Sequence, residues 1–202
     1  GPHVLQKMRN EGVPIKAVLT YARPTATAVV TADPAIRTIA DLKGKTIAAD
    51  MGSSEYQMLS IYGRTTGVVF GKDVAVVQAS PPMARTQLQA KRVDAIMTWE
   101  PTLTLTLRDN PQYRVILTGD AAWRGIAAAD GWVLLVLMRD DFLRRQPQAV
   151  PRLLKMFQDG QRFIEANTDE ADRIVQRTVK LPEGVLRDAV RARRLVYEVL
   201  PA

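Results

Sequence analysis

Across residues 41–118 the spacing of apolar side chains switches repeatedly between two periods. Short apolar runs at 46–49, 74–77, 94–98 and 114–117 read as buried strands, too brief for helices. Each of the first three precedes a stretch with a helical repeat: Tyr56 and Leu59, then Ala84 and Leu88, then the segment from Glu100-Pro101 to Asn110. The punctuation agrees. Asp41-Leu42-Lys43-Gly44-Lys45 predicts a helical turn and a tight Gly corner, Gly52-Ser53-Ser54 opens a helix, and Ser80 with Pro81 supplies an N-cap and a first turn. Strands alternating with helices of about ten residues predict βαβ units and a mostly parallel sheet. Residues 36–118 are therefore expected to form one α/β lobe.

The flanks carry fewer strands. A helix-like opening, Val4-Leu5-Gln6-Lys7-Met8, gives way at Gly12 to a strand expected at 15–19; Arg23-Pro24 breaks the pattern, and 28–31 reads as extended. Beyond the Gly- and Ala-rich stretch 119–131, the run 132–138 has the continuous apolar character of a strand covered on both faces. The last third reads as helical. Val150, Leu153, Leu154, Phe157 and Ile164 share a stripe, Asn167 is placed as an N-cap with Glu170 three residues on, and Pro182 opens a last helix carrying Val185, Ala189 and Val196. Residues 1–35 and 119–202 must then build the other lobe from about two or three strands, so that lobe is expected to be incomplete.

Composition narrows the chemistry further. Of 202 residues 47% are hydrophobic and 24% charged, enough for a buried core. Cysteine is absent and the one histidine is His3, which removes a thiolate nucleophile, a disulfide framework, a Cys/His zinc site and a Ser-His-Asp triad. No metal or cofactor is expected. The net charge of +7 is spread along the chain, with 5 cations against 2 anions in 1–40, 9 against 7 in 41–118 and 14 against 12 in 119–202. A phosphate backbone needs a clustered stripe, so no nucleic-acid partner is expected. Arg191, Arg193 and Arg194 form the densest basic knot and read as a solvated face. The longest apolar run falls far short of the ~20 residues that span a bilayer as a helix, and no basic start leading into an apolar stretch marks an export signal.

Two loops are candidates for binding. Asp50-Met51-Gly52-Ser53-Ser54 lies between a strand and a helix, where an open α/β sheet turns backbone N–H groups and a helix N-terminus toward a ligand. Gly52 would let the backbone approach closely, while Ser53 and Ser54 could cap the helix or donate to an oxyanion; capping alone explains such serines about equally well. Trp99-Glu100-Pro101 takes the equivalent place after the 94–98 run, with Trp99 as a stacking wall and Glu100 as an acceptor. Its rival reading is a core Trp beside a helix-capping Glu. Trp132 is a further candidate wall from the flanking lobe. No residue is expected to be catalytic.

Taken in order, 41–48 (Asp-Leu-Lys-Gly-Lys-Thr-Ile-Ala), Gly52-Ser53-Ser54, 93–101 (Val-Asp-Ala-Ile-Met-Thr-Trp-Glu-Pro) and Arg139-Asp140-Asp141-Phe142 with Pro147 and Ala149 resemble the nitrate, sulfonate, taurine and thiamine-precursor solute-binding proteins of ABC importers. The resemblance runs from about residue 12 to residue 200. It implies a type II periplasmic-binding-protein fold of two α/β lobes with mostly parallel sheets. Lobe I would be 1–35 with 119–202, truncated at its N-terminus, and lobe II 36–118, with hinge crossovers near 28–34 and 119–131. It also implies capture of a small organic molecule or oxyanion (sulfonate, nitrate or pyrimidine-like) in the interlobe cleft, an ABC permease as partner, and a periplasmic or membrane-anchored extracytoplasmic location.

Family members open with a further strand, helix and strand that have no counterpart here, leaving a bare sheet edge that predicts poor binding or self-association. Asp50, Glu55 and Glu100 stand near one mouth and would repel an oxyanion unless Arg23, Arg85 or Arg124 offsets them. That makes a neutral pyrimidine-like solute the rival. Two other classes share the fold. The effector-binding lobe of a LysR-type regulator is opposed by Trp99-Glu100-Pro101 and the long helical C-terminal third. Enzymes on this fold need a Cys or a His segment that the composition lacks.

Overall fold

Two sheets take up the strands of the computed structural model, which describes residues 2–127, 131 and 134–202. The strands are β1 (Ile15–Ala22), β2 (Thr27–Thr31), β3 (Thr46–Ala49), β4 (Ala75–Gln78), β5 (Ala95–Trp99), β6 (Arg114–Thr118), β7 (Leu134–Arg139) and β8 (Tyr197–Pro201). The helices are α1 (Pro2–Asn10), α2 (Ser54–Thr65), α3 (Pro81–Gln89), α4 (Thr102–Asp109), α5 (Gly119–Ile126), α6 (Asp140–Arg145), α7 (Ala149–Ala166), α8 (Thr168–Val179) and α9 (Val185–Arg191). The chain divides into two units, Pro24–Gly131 and the pair of segments Gly1–Arg23 and Trp132–Ala202.

The Pro24–Gly131 unit is built on a five-stranded sheet in the order β4-β3-β5-β2-β6. β3 lies parallel to β4 and β5, while β2 is antiparallel to both β5 and β6 and so alone runs against the other four. Helices cover both faces, which is why the strands read as unbroken apolar runs. Alternate residues of one strand serve opposite cores: Ala95 and Met97 pack with Ile47, Val29, Leu42 and Leu59, whereas Ile96 packs with Ala48, Val30, Ala84, Leu88 and Leu103. The corner ahead of β3 forms as its sequence predicts. Gly44 takes φ +75°, and the Asp41 carboxylate accepts from the Arg37 and Thr38 amides. These bonds hold the Asp41 carboxyl below its ordinary range.

The unit boundaries differ from the expected 35/36 and 118/119. β2 pairs along its length with β5 and β6, placing 24–35 inside this sheet, and the first crossover falls at Arg23 and Pro24 instead of 28–34. Strand pairing is decided by partners some 65 to 90 positions away (Val29 with Met97 and Leu117), which no local pattern reports. The stretch 119–131 also belongs here. It contains α5, whose glycines argue against a helix on propensity, but Thr118 caps it by accepting from the Ala121 amide and Ala122 is buried.

In the other unit β1 stands between β7 and β8, antiparallel to both. Leu19, Ala22, Val185, Ala189 and Val199 are buried. Double coverage of the 132–138 run does not hold over its described part, because no residue of β7 is buried. The stripe on α7 forms as a helix, yet none of its residues is buried either; Phe157 meets Tyr21 at 5.1 Å between ring centroids. Asn167 does not cap α8 with its side chain, which donates instead to the Phe163 carbonyl, and Glu170 binds Arg173 and Arg177. Val196 lies outside α9. That helix ends at Arg191, Arg193 takes φ 54°, and the chain leaves for β8, which pairs with β1. Of the basic knot, Arg191 binds Asp169 at 3.0 Å.

Candidate functional site

Because β3, β4, β5 and β6 share a direction, their carboxyl ends meet on one edge of the five-stranded sheet, together with the amino end of β2. β3 and β5 are neighbours, so the loops that follow them, Asp50-Met51-Gly52-Ser53 and Glu100-Pro101, adjoin there. This is where open α/β sheets present ligands to loops and helix N-termini. The structure thus brings Met51, Gly52, Ser53, Ser54, Trp99, Glu100 and Pro101 to one edge. Trp132 lies outside the described residues.

Side-chain roles along the first loop are more structural than the sequence suggests. Ser53 caps α2: its Oγ accepts from the Tyr56 amide at 3.0 Å and donates to the Asp50 carbonyl at 2.8 Å. The backbone amides of Met51, Gly52 and Ser53 all donate within the protein, to Gln78 Oε1 (2.8 Å), Asp50 Oδ1 (3.1 Å) and the Asp50 carbonyl (3.0 Å). Expecting those amides to face a ligand is corrected here, because internal acceptors take them. Gly52 has ordinary φ, and a Cβ there would meet only Asp50 Oδ1 at 3.5 Å, so the backbone does not require glycine. What the loop turns outward is the Met51 side chain, 40% exposed, ahead of the N-terminal turn of α2 that begins at half-buried Ser54.

On the second loop Trp99 is half-buried and packs against the core that contains Met97 and Leu59, opposite Thr27 in the sheet register. This packing is that of a core Trp, and its half-burial leaves part of the residue accessible. Glu100 acts as a cap. Its Oε1 accepts from Thr104 Oγ1 at 2.9 Å and its Oε2 from the Thr104 amide at 3.1 Å, which places a carboxylate at the positive end of α4. Pro101 is exposed and follows a cis peptide bond.

The electrostatics differ from a simple count of charges. Asp50 Oδ1 accepts from Gln78 and Gly52, and Glu100 is engaged by Thr104, so two of the three carboxylates are turned into local hydrogen bonds. Glu55 is half-buried in the first turn of α2 and lines a cavity of about 10 Å³, about one water in size, with Met58, Leu117 and Ala122. The three arginines named as offsets for an anion each meet a carboxylate: Arg85 binds Asp109 through two nitrogens at 2.6 and 2.7 Å, Arg124 binds Asp120, and Arg23 binds Glu198. Among the described residues no group of three or more His, Asp or Glu side chains could hold a metal ion, and no helix is long and apolar enough to cross a membrane.

Gln78 escaped the sequence reading. The signal was a lone amide side chain ending the otherwise apolar run 74–77, two residues before a Ser-Pro helix start. Gly119 escaped it as well, placed only in a Gly- and Ala-rich hinge stretch although it opens α5 on this same edge beside Pro24.

Comparison with known proteins follows from this geometry. The profile of the family described as "NMT1/THI5 like" matches residues 1–171. A Brucella abortus (strain 2308) protein named as a binding protein is 24% identical over 172 residues, covering 85% of this chain and 52% of its own. The crystal structure of the periplasmic aliphatic sulphonate binding protein of Escherichia coli covers 96% of this chain and 64% of its own, with a TM-score of 0.81 and 22% identity. The alkanesulfonate-binding protein of Xanthomonas axonopodis pv. citri, bound to MOPS, covers 95% and 64%, with a TM-score of 0.76 and 23% identity. The chain spans about half the length of the curated relative it matches and under two thirds of those two structures. Likeness at this identity establishes the fold, that of the two-lobed α/β periplasmic binding proteins, and these relatives are named as binding proteins rather than enzymes.

Proposed function

Since this chain belongs to the NMT1/THI5-like family, we propose that it is part of the solute-binding component of an ABC-type importer and that its solute is a small organic sulfonate. The carrying observation is the edge where the β3 and β5 loops adjoin, with the N-terminal turn of α2 and the half-buried indole of Trp99 side by side in the sequence of strands. A helix N-terminus favours an anion and an indole favours an alkyl or planar body, which together suit a sulfonate on a carbon chain. The names of the solved relatives point the same way.

One observation favours a second reading, a neutral pyrimidine-like solute: Arg23, Arg85 and Arg124 all have carboxylate partners of their own. The two readings separate on substitution. Trp99→Ala is expected to weaken solute binding by about 1 to 3 kcal/mol, roughly ten- to a hundredfold. Ser54→Ala is expected to weaken ethanesulfonate binding by up to about 3 kcal/mol if the hydroxyl serves the anion, and an aminopyrimidine by less. Isothermal titration with both probes decides between them. If both variants lower the melting temperature and neither changes an affinity, the edge is a cap and a core indole, and the site assignment falls.

In this reading the component works outside the cytoplasm with a permease as partner and performs no catalysis; turnover of sulfonate by rigorously purified protein would remove the last point. Self-association of this chain belongs to the same reading. It is supported by the apolar groove of about 300 Å³ lined by Tyr21, Phe157, Ile164 and Tyr197, at which Met156 is 60% exposed. Light scattering is expected to give a dimer or larger, and a monomer at all concentrations would contradict it.

A further inference from the structure

We infer that Gln78 is a positioning residue that sets the shape of the 50–53 loop on the proposed binding edge; the inference rests on that loop facing the solute. Gln78 ends β4, which is the outermost strand of the sheet beside β3, and it is exposed. Its amide nevertheless runs along the loop. Oε1 accepts from the Met51 amide at 2.8 Å, and Nε2 donates to Asp50 Oδ1 at 3.1 Å. The same Asp50 oxygen accepts from the Gly52 amide at 3.1 Å, while Gln57 Nε2 donates to the Met51 carbonyl at 3.2 Å from the side of α2. The loop is thereby tied to β4 on one side and to α2 on the other.

The chemistry of the two partners selects an amide. One is an N–H, which needs an acceptor, and the other is a carboxylate, which needs a donor, and only a side chain carrying both can serve the two together. A carboxylate at position 78 would still accept from Met51 but would face Asp50 with a like charge; an aliphatic side chain would serve neither. With its amides turned inward, the loop offers a solute the Met51 side chain and the turn opened by Ser54, and it offers them in one arrangement. Holding that arrangement before the solute arrives lowers the ordering cost of binding.

The test compares Gln78→Leu and Gln78→Glu with the parent chain, reading amide hydrogen exchange at Met51 and Gly52 and the affinity for ethanesulfonate, an anion whose charge is constant between pH 5 and 8. Gln78→Leu is expected to lower protection of both amides and to weaken ethanesulfonate binding, each by about tenfold, as the loss of one or two hydrogen bonds predicts. The melting temperature should hold, because the residue is outside the core. Gln78→Glu keeps an acceptor for the Met51 amide and sets a like charge against Asp50, so it should retain more Met51 protection than Gln78→Leu while weakening ethanesulfonate binding about as much. Unchanged protection in Gln78→Leu, or a Gln78→Glu chain no better protected at Met51 than Gln78→Leu, overturns the brace. Lost protection with an undiminished affinity leaves the brace standing and overturns the solute-facing reading of the loop on which the positioning role depends.

Discussion

Gly119→Ala is expected to destabilise the Pro24–Gly131 unit by about 3 kcal/mol, at the upper end of the range for overpacking, although the exchange raises helix propensity. Gly119 is the first residue of α5 and is buried, and a Cβ there would lie 2.4 Å from the Pro24 carbonyl oxygen and 3.1 Å from Thr27 Cβ. Neither neighbour is the free end of a flexible side chain. Pro24 has a fixed φ, and Thr27 is held in the sheet opposite Trp99, so the start of α5 must move away from the sheet edge. Urea unfolding monitored by tryptophan fluorescence gives the measurement. Gly160→Ala supplies the control. Gly160 lies in the middle of α7, no atom beyond its own stretch of helix backbone stands within 4 Å of its Cβ position, and the same exchange there is expected to stabilise by about 0.5 to 1 kcal/mol. Two glycines in helices then give opposite signs, and a stabilised Gly119→Ala would show that Pro24 packs against the start of α5 more loosely than these distances indicate.

The second large effect is at Asp172, which is 2% exposed on α8. Its carboxylate accepts from the Gly184 amide at 2.7 Å, the Arg187 amide at 3.2 Å and Gln176 Nε2 at 2.6 Å. The first two are donors at the start of α9, so a side chain twelve residues upstream caps that helix and ties it to α8. Asp172→Ala leaves two amides without acceptors in a closed place, at about 1 to 3 kcal/mol each, and about 3 to 4 kcal/mol in all is expected. Burial by itself would raise the Asp172 carboxyl. The amides of Arg187 and Gly184, the Gln176 side chain and the Arg187 charge outweigh it and hold the group below the ordinary carboxylate range.

A depressed folded-state value makes the stabilisation complete above the unfolded carboxylate pKa of about 4 and removes it as pH falls through the folded value. The urea midpoint of the parent chain should therefore fall on acidification below about pH 4, and its gap over Asp172→Asn should narrow across the same window. Asp41, Asp141 and Asp159 are also held low by hydrogen bonds, so the difference between the two proteins, and not the parent's own acid unfolding, isolates Asp172. A gap that stays constant down to pH 2.5 would contradict the assignment.

Local chemistry by itself determined much of the Pro24–Gly131 unit. β3, α2, α3 and β5 lie within a residue or two of their expected positions, because each is announced at short range by an apolar run, a Ser cap, an N-terminal Pro or a Gly corner. The placement of the two candidate loops followed, since strands that alternate with helices put their carboxyl ends on one edge. Three of the family motifs, at 41–48, 52–54 and 93–101, were legible for the same reason, as strands, corners and caps of this unit; the fourth, at 139–149, lies in the other unit.

Only the tertiary structure decided what depends on distant partners. Residues 24–35 looked like part of the flanking lobe until β2 paired with β5 and β6, and α5 hid in a Gly-rich stretch because its glycines answer to Pro24 and Tyr62, not to helix propensity. β8 was read as helix because its apolar residues carry no period of their own; pairing with β1, more than 170 residues earlier, makes it a strand. The binding edge divides along the same line. Its residues could be named from sequence, but whether Ser53 and Glu100 are caps, and where the amides of Met51 and Gly52 point, was settled by Asp50, Thr104 and Gln78. A hydrogen bond is a relation between two groups in space, and a sequence states only one of them at a time.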